Sequence, residues 1–175
     1  VLIREATPDE YDETGRVTMR AYVEFFDAGA IDEGTSYLRR IGDVAARAPH
    51  TTILVAIDDG AIVGSLTLEL DERTPGGSEG KPPLAPGEAH IRMLGVDPAA
   101  RSRGAGRQLM REAETRARAA GKTEITLHTT HEMGTARSMY HTLGYERMAD
   151  EVMPDGFVLL GYRKRLGPQD AGSGT

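Results

Sequence analysis

Ile91-Arg92-Met93-Leu94-Gly95-Val96, followed by Asp97-Pro98-Ala99-Ala100 and then Arg101-Ser102-Arg103-Gly104-Ala105-Gly106, passes from an extended apolar run through a turn into a helical pattern that starts near Ala105. The order is strand, tight turn, helix, and the first turn of that helix carries almost no side chains. Glycine has no Cβ, so an anion can approach the main chain there, and the N–H groups and positive dipole end of a helix attract it. The pattern reads as a phosphate cradle with Arg101 as a mobile cation at its mouth. A strand-to-helix turn that needs glycine for geometry alone has the same signature. The stretch is neither G-x-x-x-x-G-K-[ST] nor G-x-G-x-x-G, since Leu109 stands at the third glycine position.

Outward from this stretch, Leu2 to Glu5 reads as an edge strand. Thr7-Pro8-Asp9-Glu10 is a helix start, with Thr7 as cap, Pro8 in the first position and Glu10 closing a capping box. The helix is expected from Pro8 to about Phe26, with Tyr11, Val17, Met19, Tyr22 and Phe25 apolar. A second helix is expected over Ser36 to Arg47, beyond an acidic small-residue loop at Asp27 to Gly34. Thr52 to Ile57 and Ala61 to Leu70 form a hairpin about Asp58-Asp59-Gly60. Asp71 to Gly87, with Pro75, Pro82, Pro83 and Pro86, is a long polar loop.

Glu88 to Val96 is the next strand, and Gly104 to Ala120 a helix with Ala105, Leu109, Ala113 and Ala117 on one face and Gly121 as its cap. Glu124 to Thr129 is a strand, Met133, Ala136, Tyr140 and Leu143 a helical stripe, and Phe157 to Arg165 a strand after a turn at Asp155-Gly156. The order β-α-α-β-β-β-α-β-α-β-β predicts a mixed α/β sheet in which a right-handed crossover joins a parallel pair. The 175 residues are read as one domain over 1–166 with a disordered tail at 167–175.

The formal net charge of -6 argues against non-specific nucleic-acid or membrane binding, which needs a basic face. Cysteine is absent, which excludes disulfides, thiolate metal sites and a cysteine nucleophile. Val1 to Glu5 is too short and too soon charged for a signal peptide, and no apolar run has the length of a membrane span, so a cytoplasmic protein is expected. His128-x-x-His131-Glu132 lacks the spacing of H-E-x-x-H, and no metal is expected.

Leu94-Gly95-Val96-Asp97-Pro98, Arg101-x-x-Gly104-x-Gly106 and Ala136-x-x-Met139-Tyr140-x-x-Leu143-Gly144-Tyr145 together resemble the GNAT superfamily of acyl-CoA-dependent N-acyltransferases. The likeness covers nearly the whole chain, including Ile3-Arg4-Glu5-Ala6-Thr7 and the hairpin Val55-Ala56-Ile57 to Ile62-Val63-Gly64. It implies a GNAT-like fold with a splayed central parallel strand pair, Ile91 to Val96 and Glu124 to Thr129. It also implies acetyl-CoA as co-substrate, its pantetheine arm pairing with Leu94, Gly95 and Val96 and its pyrophosphate on Arg101, Ser102, Arg103, Gly104, Ala105, Gly106 and Arg107. A backbone N–H near Leu94 would serve the oxyanion, and Tyr140 stands where the family places the acid for the thiolate, although a tyrosine on that stripe is equally a core residue.

For the base, strand alternation puts Glu88, His90, Arg92 and Leu94 on one face. His90 has a suitable proton affinity and Glu88 can act through water, while a strand histidine is also often structural. Met133 replaces an asparagine frequent in the family. The acceptor pocket would be walled by Tyr22, Glu24, Phe25, Phe26, Asp27, Asp32, Glu33 and the Asp71 to Gly87 loop, or those carboxylates are simply the wet face of a helix. The leading reading is N-acetyl transfer to a primary amine of a small molecule or peptide. A noncatalytic acyl-CoA-binding module and an O-acyltransferase are the alternatives, and the likeness alone suggests a homodimer.

Overall fold

A computed structural model describes residues 1–25, 31–71, 83–154 and 156–167, with side chains undescribed at 31–36. The strands are β1 (Leu2–Glu5), β2 (Thr52–Asp58), β3 (Ala61–Glu69), β4 (Glu88–Val96), β5 (Glu124–Thr129), β6 (Glu146–Arg147), β7 (Glu151–Val152) and β8 (Val158–Arg165). The α-helices are α1 (Tyr11–Tyr22), α2 (Ile31–Gly42), α3 (Val44–Arg47), α4 (Ala105–Ala119) and α5 (Gly134–Thr142). The chain divides into two compact units, residues 1–69 with 91–112 and residues 70–90 with 113–175.

In the first unit the ladder runs β1-β2-β3-β4. β1 and β2 are antiparallel, as are β2 and β3, whose turn holds Asp59 and Gly60 at φ 48 and 80. Both turn residues therefore take the left-handed conformation of a tight hairpin. The core is built from Val17, Ala21, Ile41, Val44, Leu54, Val55, Leu66, Leu68, Leu109 and Met110.

Helix α1 starts as expected. A short 3-10 turn covers Pro8–Glu10, and the Glu10 carboxylate accepts from the Thr7 N–H at 2.9 Å and from its hydroxyl at 3.0 Å. Its inner face differs from the apolar positions expected: Thr14, Gly15, Val17, Thr18 and Ala21 are buried, while Tyr11, Met19, Tyr22 and Phe25 are half-buried. Small residues win because helices approach closely here. A Cβ on Gly15 would lie 2.1 Å from the Gly42 carbonyl oxygen. Thr18 meets its polar need by donating to the Thr14 carbonyl at 2.7 Å and sharing a 2.5 Å hydrogen bond with Ser65.

The second helix is also corrected. It spans Ile31–Gly42 rather than Ser36 to Arg47, and Asp43 accepts from the Ala46 N–H at 3.0 Å to start α3 afresh. The helix runs through Asp32, Glu33 and Gly34, which read locally as loop. Phe26 and Asp27, the side chains of Asp32 and Glu33, residues 72–82, Asp155 and the tail from 168 lie outside what the structure describes.

In the second unit the ladder runs β4-β5-β8-β6, with β4 and β5 parallel and β8 antiparallel to β5 and β6. β7 also pairs with β8. Ala113, Ala117, Ile125, Leu127, Tyr140, Tyr145, Leu160 and Tyr162 form its core. The Lys164 ammonium donates to both oxygens of the buried Glu114 carboxylate at 2.9 and 2.8 Å. Across both units Ala105, Leu109, Ala113 and Ala117 are buried, as the stripe on α4 predicts. Among the described residues no helix is long and apolar enough to cross a membrane.

Candidate active site

The turn between β4 and α4 has the conformation that a cradle needs. Ser102 and Gly104 take φ 69 and 83, and α4 begins at Ala105. A Cβ on Gly104 would meet nothing nearer than the Gln108 amide nitrogen at 3.8 Å, so conformation rather than space calls for glycine. Gln108 is the first residue of the helix whose N–H is paired, donating to the Gly104 carbonyl at 3.0 Å. Among the described residues no acceptor serves the N–H groups of Ser102 to Arg107. Residues Arg101 to Gly104 and Arg107 are exposed, Gly106 is half-buried, and Ala105 is buried with the core face of α4.

Arg101 is not the mobile cation expected. Its guanidinium is paired with Glu24 and donates to the Ala21 carbonyl at 3.3 Å, which ties the turn to the end of α1. Arg103 is paired with Asp58 at 2.9 Å. Arg107 is exposed on the first turn of α4.

Strand β4 is irregular. Met93 has φ 51, a left-handed value that a side chain rarely adopts and that marks a bulge or a constrained site. The faces change there. Arg92 reaches Glu69 on the side of β3 where Ser65 meets α1, and Gly95 also faces α1, its would-be Cβ 2.9 Å from that of Ala21. Val96 instead lies with Leu109 around Gly64, on the α4 side. The alternation that put Leu94 on one face with Arg92 is therefore broken by the turn at Met93. Leu94 and Val96 are half-buried and Gly95 is buried.

The start of β4 brings Glu88 and His90 together through a residue the sequence reading missed. Thr126 on β5 donates its single hydroxyl proton to the Glu88 carboxylate at 2.5 Å and lies 2.7 Å from His90 Nδ1. With that proton spent on Glu88, the hydroxyl can only accept from His90 Nδ1–H. The neutral imidazole then carries its lone pair on Nε2, the arrangement in which a carboxylate orients a histidine base. The ring of His90, itself buried, sits 5.4 Å from that of His128, whose Nε2 lies 3.8 Å from Glu151. His131 and Glu132 are exposed in the following turn.

Tyr140 projects from α5 into a cluster of aromatic rings, 6.0 Å from Tyr145 and 5.7 Å from Tyr162 by ring centroids. Burial, with Tyr162 beside it, pushes its phenol above the usual range. Tyr145 is raised further by burial and the Glu114 carboxylate, and its buried hydroxyl makes no hydrogen bond of normal geometry. Met133 precedes α5 and accepts a 3.3 Å contact from the Thr129 hydroxyl at its sulfur.

A mixed sheet with a parallel pair, a glycine turn opening a helix after an irregular strand, and a tyrosine-bearing helix beyond it define an acyltransferase fold. The chain belongs to the Acetyltransferase (GNAT) family, whose model matches residues 13–145. No curated protein sequence matches it. Among solved structures it is similar to yncA, a putative acetyltransferase from Salmonella typhimurium solved with its cofactor acetyl-CoA. That pair shares 16% identity with a TM-score of 0.66, over 99% of this chain and 98% of that one. It is similar to the PaiA N-acetyltransferase of Thermoplasma acidophilum in complex with coenzyme A, at 17% identity and TM-score 0.67 over 91% and 96% of the two chains. It is also similar to the ribosomal-protein-S18-alanine N-acetyltransferase of Escherichia coli, at 12% identity and TM-score 0.67 over 99% of each. These likenesses establish the fold.

Proposed function

We propose that the protein is an acetyl-CoA-dependent N-acetyltransferase that acts on a primary amine by direct attack in a ternary complex. The observation that carries this reading is the row of unserved, mostly exposed amides from Ser102 to Arg107, within a chain that belongs to the family. Acetyl-CoA supplies an activated acyl group as its thioester. Its diphosphate would rest on those amides, with Arg107 adding charge, and Arg101 and Arg103 could join only by leaving Glu24 and Asp58. Leu94, Gly95 and Val96 would hold the pantetheine arm.

The chemistry assigns one role to each remaining group. The acceptor's ammonium must lose one proton before its nitrogen bonds to the thioester carbon. As the carbon–sulfur bond breaks the nitrogen sheds a second proton, which ends on the released sulfur as the thiol or passes to solvent. His90 Nε2 takes the first proton, with Thr126 and Glu88 holding the ring, and the Leu94 N–H stabilises the oxyanion. Tyr140 donates a hydrogen bond to the departing sulfur. A phenol raised above its usual range stays protonated, so it stabilises a thiolate whose conjugate thiol ionises near 8.5 without transferring its proton outright.

The test is release of free thiol from acetyl-CoA in the presence of a panel of amines and alcohols. Acceptor-dependent thiol with amines is expected. Tight coenzyme A binding without it would leave a noncatalytic acyl-CoA-binding module, and turnover confined to alcohols would leave an O-acyltransferase. The reading further places the protein in the cytoplasm, where acetyl-CoA is available.

A further inference from the structure

Within the first unit, Arg101 stands between two helix ends. It lies in the turn that opens α4, and its guanidinium donates at 3.3 Å to the carbonyl of Ala21 in the last turn of α1. The same guanidinium pairs with Glu24, in the 3-10 turn Val23–Phe25 that continues that helix. A cation at this place answers the carbonyls and the negative dipole end of α1. A second tie runs beside it: Arg20, also in the last turn of α1, donates through Nε to Asp97 at 2.8 Å.

The two ties differ in how readily an arriving anion could break them. Asp97 is 19% exposed and also accepts from the Ala99 amide at 3.0 Å, so it is fixed within its own turn. Arg101 and Glu24 are 38% and 40% exposed. A pair this open is worth little, because solvent screens it and two long side chains lose freedom in making it. A diphosphate carries more charge than a carboxylate and offers a guanidinium several oxygens at once, so it is the stronger partner. Arg103 is in the same position, paired with Asp58 at 2.9 Å. Both cations flanking the open amides are thus covered by carboxylates that an anion can displace.

We propose that Arg101 is a partner-exchange switch. In the cofactor-free protein it caps α1 and is held by Glu24; a diphosphate seated on the amides of Ser102 to Arg107 takes it over, and the end of α1 loses its cap. The switch rests on the reading of that turn as the diphosphate site, and it concerns the regulation of that site rather than the chemistry of transfer. Glu24 acts as a built-in competitor that lowers affinity for the cofactor. Occupancy of the turn is in this way felt at residues 22–25, while the Arg20–Asp97 tie keeps the preceding turn of the helix in place. A ligand shifts such an equilibrium only by binding its two states unequally, and here the inequality is the exchange of one carboxylate for a diphosphate on a single guanidinium.

Two measurements on the full chain test it. The first is calorimetric titration with coenzyme A of wild type, Glu24→Gln, Arg101→Gln and the double variant. Glu24→Gln is expected to lower Kd about two- to fivefold, the scale of an exposed pair removed from competition. Arg101→Gln is expected to raise it about tenfold. In the double variant the gain disappears and Kd stays within about twofold of that of Arg101→Gln, since Glu24 acts only through Arg101. Unchanged or weaker binding in Glu24→Gln, or the same gain with and without Arg101, overturns the switch and leaves the diphosphate site standing. No binding by any of the four proteins overturns both. The expected pattern of affinities with no thiol released to any acceptor overturns acetyl transfer and leaves the switch standing.

The second is hydrogen–deuterium exchange with and without coenzyme A. Amides in residues 102–107 are expected to exchange several-fold more slowly with the cofactor and those in residues 22–25 several-fold faster, the latter change being absent in Arg101→Gln. An ion pair that merely packs the surface would not move when the turn is filled. Slower or unchanged exchange at residues 22–25 in the wild type overturns the proposal.

Discussion

Burial, with Tyr162 beside it, raises the Tyr140 phenol above its usual range, so the part proposed for it in the reaction is that of a hydrogen-bond donor. Tyr140→Phe keeps the ring against Tyr145 and Tyr162 and removes only the hydroxyl. The expected result is a kcat lowered about 10²-fold with KM for acetyl-CoA nearly unchanged, since the sulfur gains charge only in the transition state. Steady-state kinetics on the wild type and the variant check this, and unchanged turnover removes Tyr140 from the mechanism. Glu10 makes a prediction of a different kind. Arg4 donates to both of its oxygens at 2.7 Å, and together with the Thr7 N–H this lowers its pKa from the ordinary 4.5 to about 2. A carboxylate whose folded pKa is depressed stabilises the fold above about pH 4.5 and loses that contribution as pH falls toward 2. Thermal melts of wild type and Glu10→Gln should therefore differ modestly at pH 6 and converge toward pH 2, the effect being small because solvent screens the pair.

The elements that form the site owe their positions to backbone conformation more than to side chains. The β4–α4 turn depends on φ 83 at Gly104, which a residue with a Cβ adopts at a cost of roughly 1–2 kcal/mol. Gly104→Ala is expected to raise the Kd for coenzyme A about tenfold and to lower the melting temperature by several degrees, since the strain falls on the folded backbone even though no neighbour crowds the position. Calorimetry on the variant checks it. This turn was legible in the sequence, for glycines, arginine and the strand before them are local signals. The irregularity at Met93 was not, because a methionine at positive φ carries no mark in its residue type. The second helix was misplaced for a related reason: Asp32, Glu33 and Gly34 read as loop locally, and only tertiary context carries the helix through them.

At the scale of the molecule, what the sequence hid is what depends on register between distant strands. Glu88 and His90 were named from their spacing, yet Thr126, which joins them, belongs to β5 and is an ordinary strand threonine until β4 and β5 are aligned. The Arg92–Glu69 pair likewise joins β4 to β3, and no spacing announces it. The family pattern, by contrast, is carried by contiguous motifs, and the fold it implies is the one found. Those motifs converge on one physical claim, that a diphosphate is held by the bare amides where the chain enters α4. Titration calorimetry of coenzyme A against pantetheine, which lacks the diphosphate, tests it most directly. The account predicts saturable binding of coenzyme A and at least about a hundredfold weaker binding of pantetheine; no heat with coenzyme A, or equal affinity for the two, would contradict it.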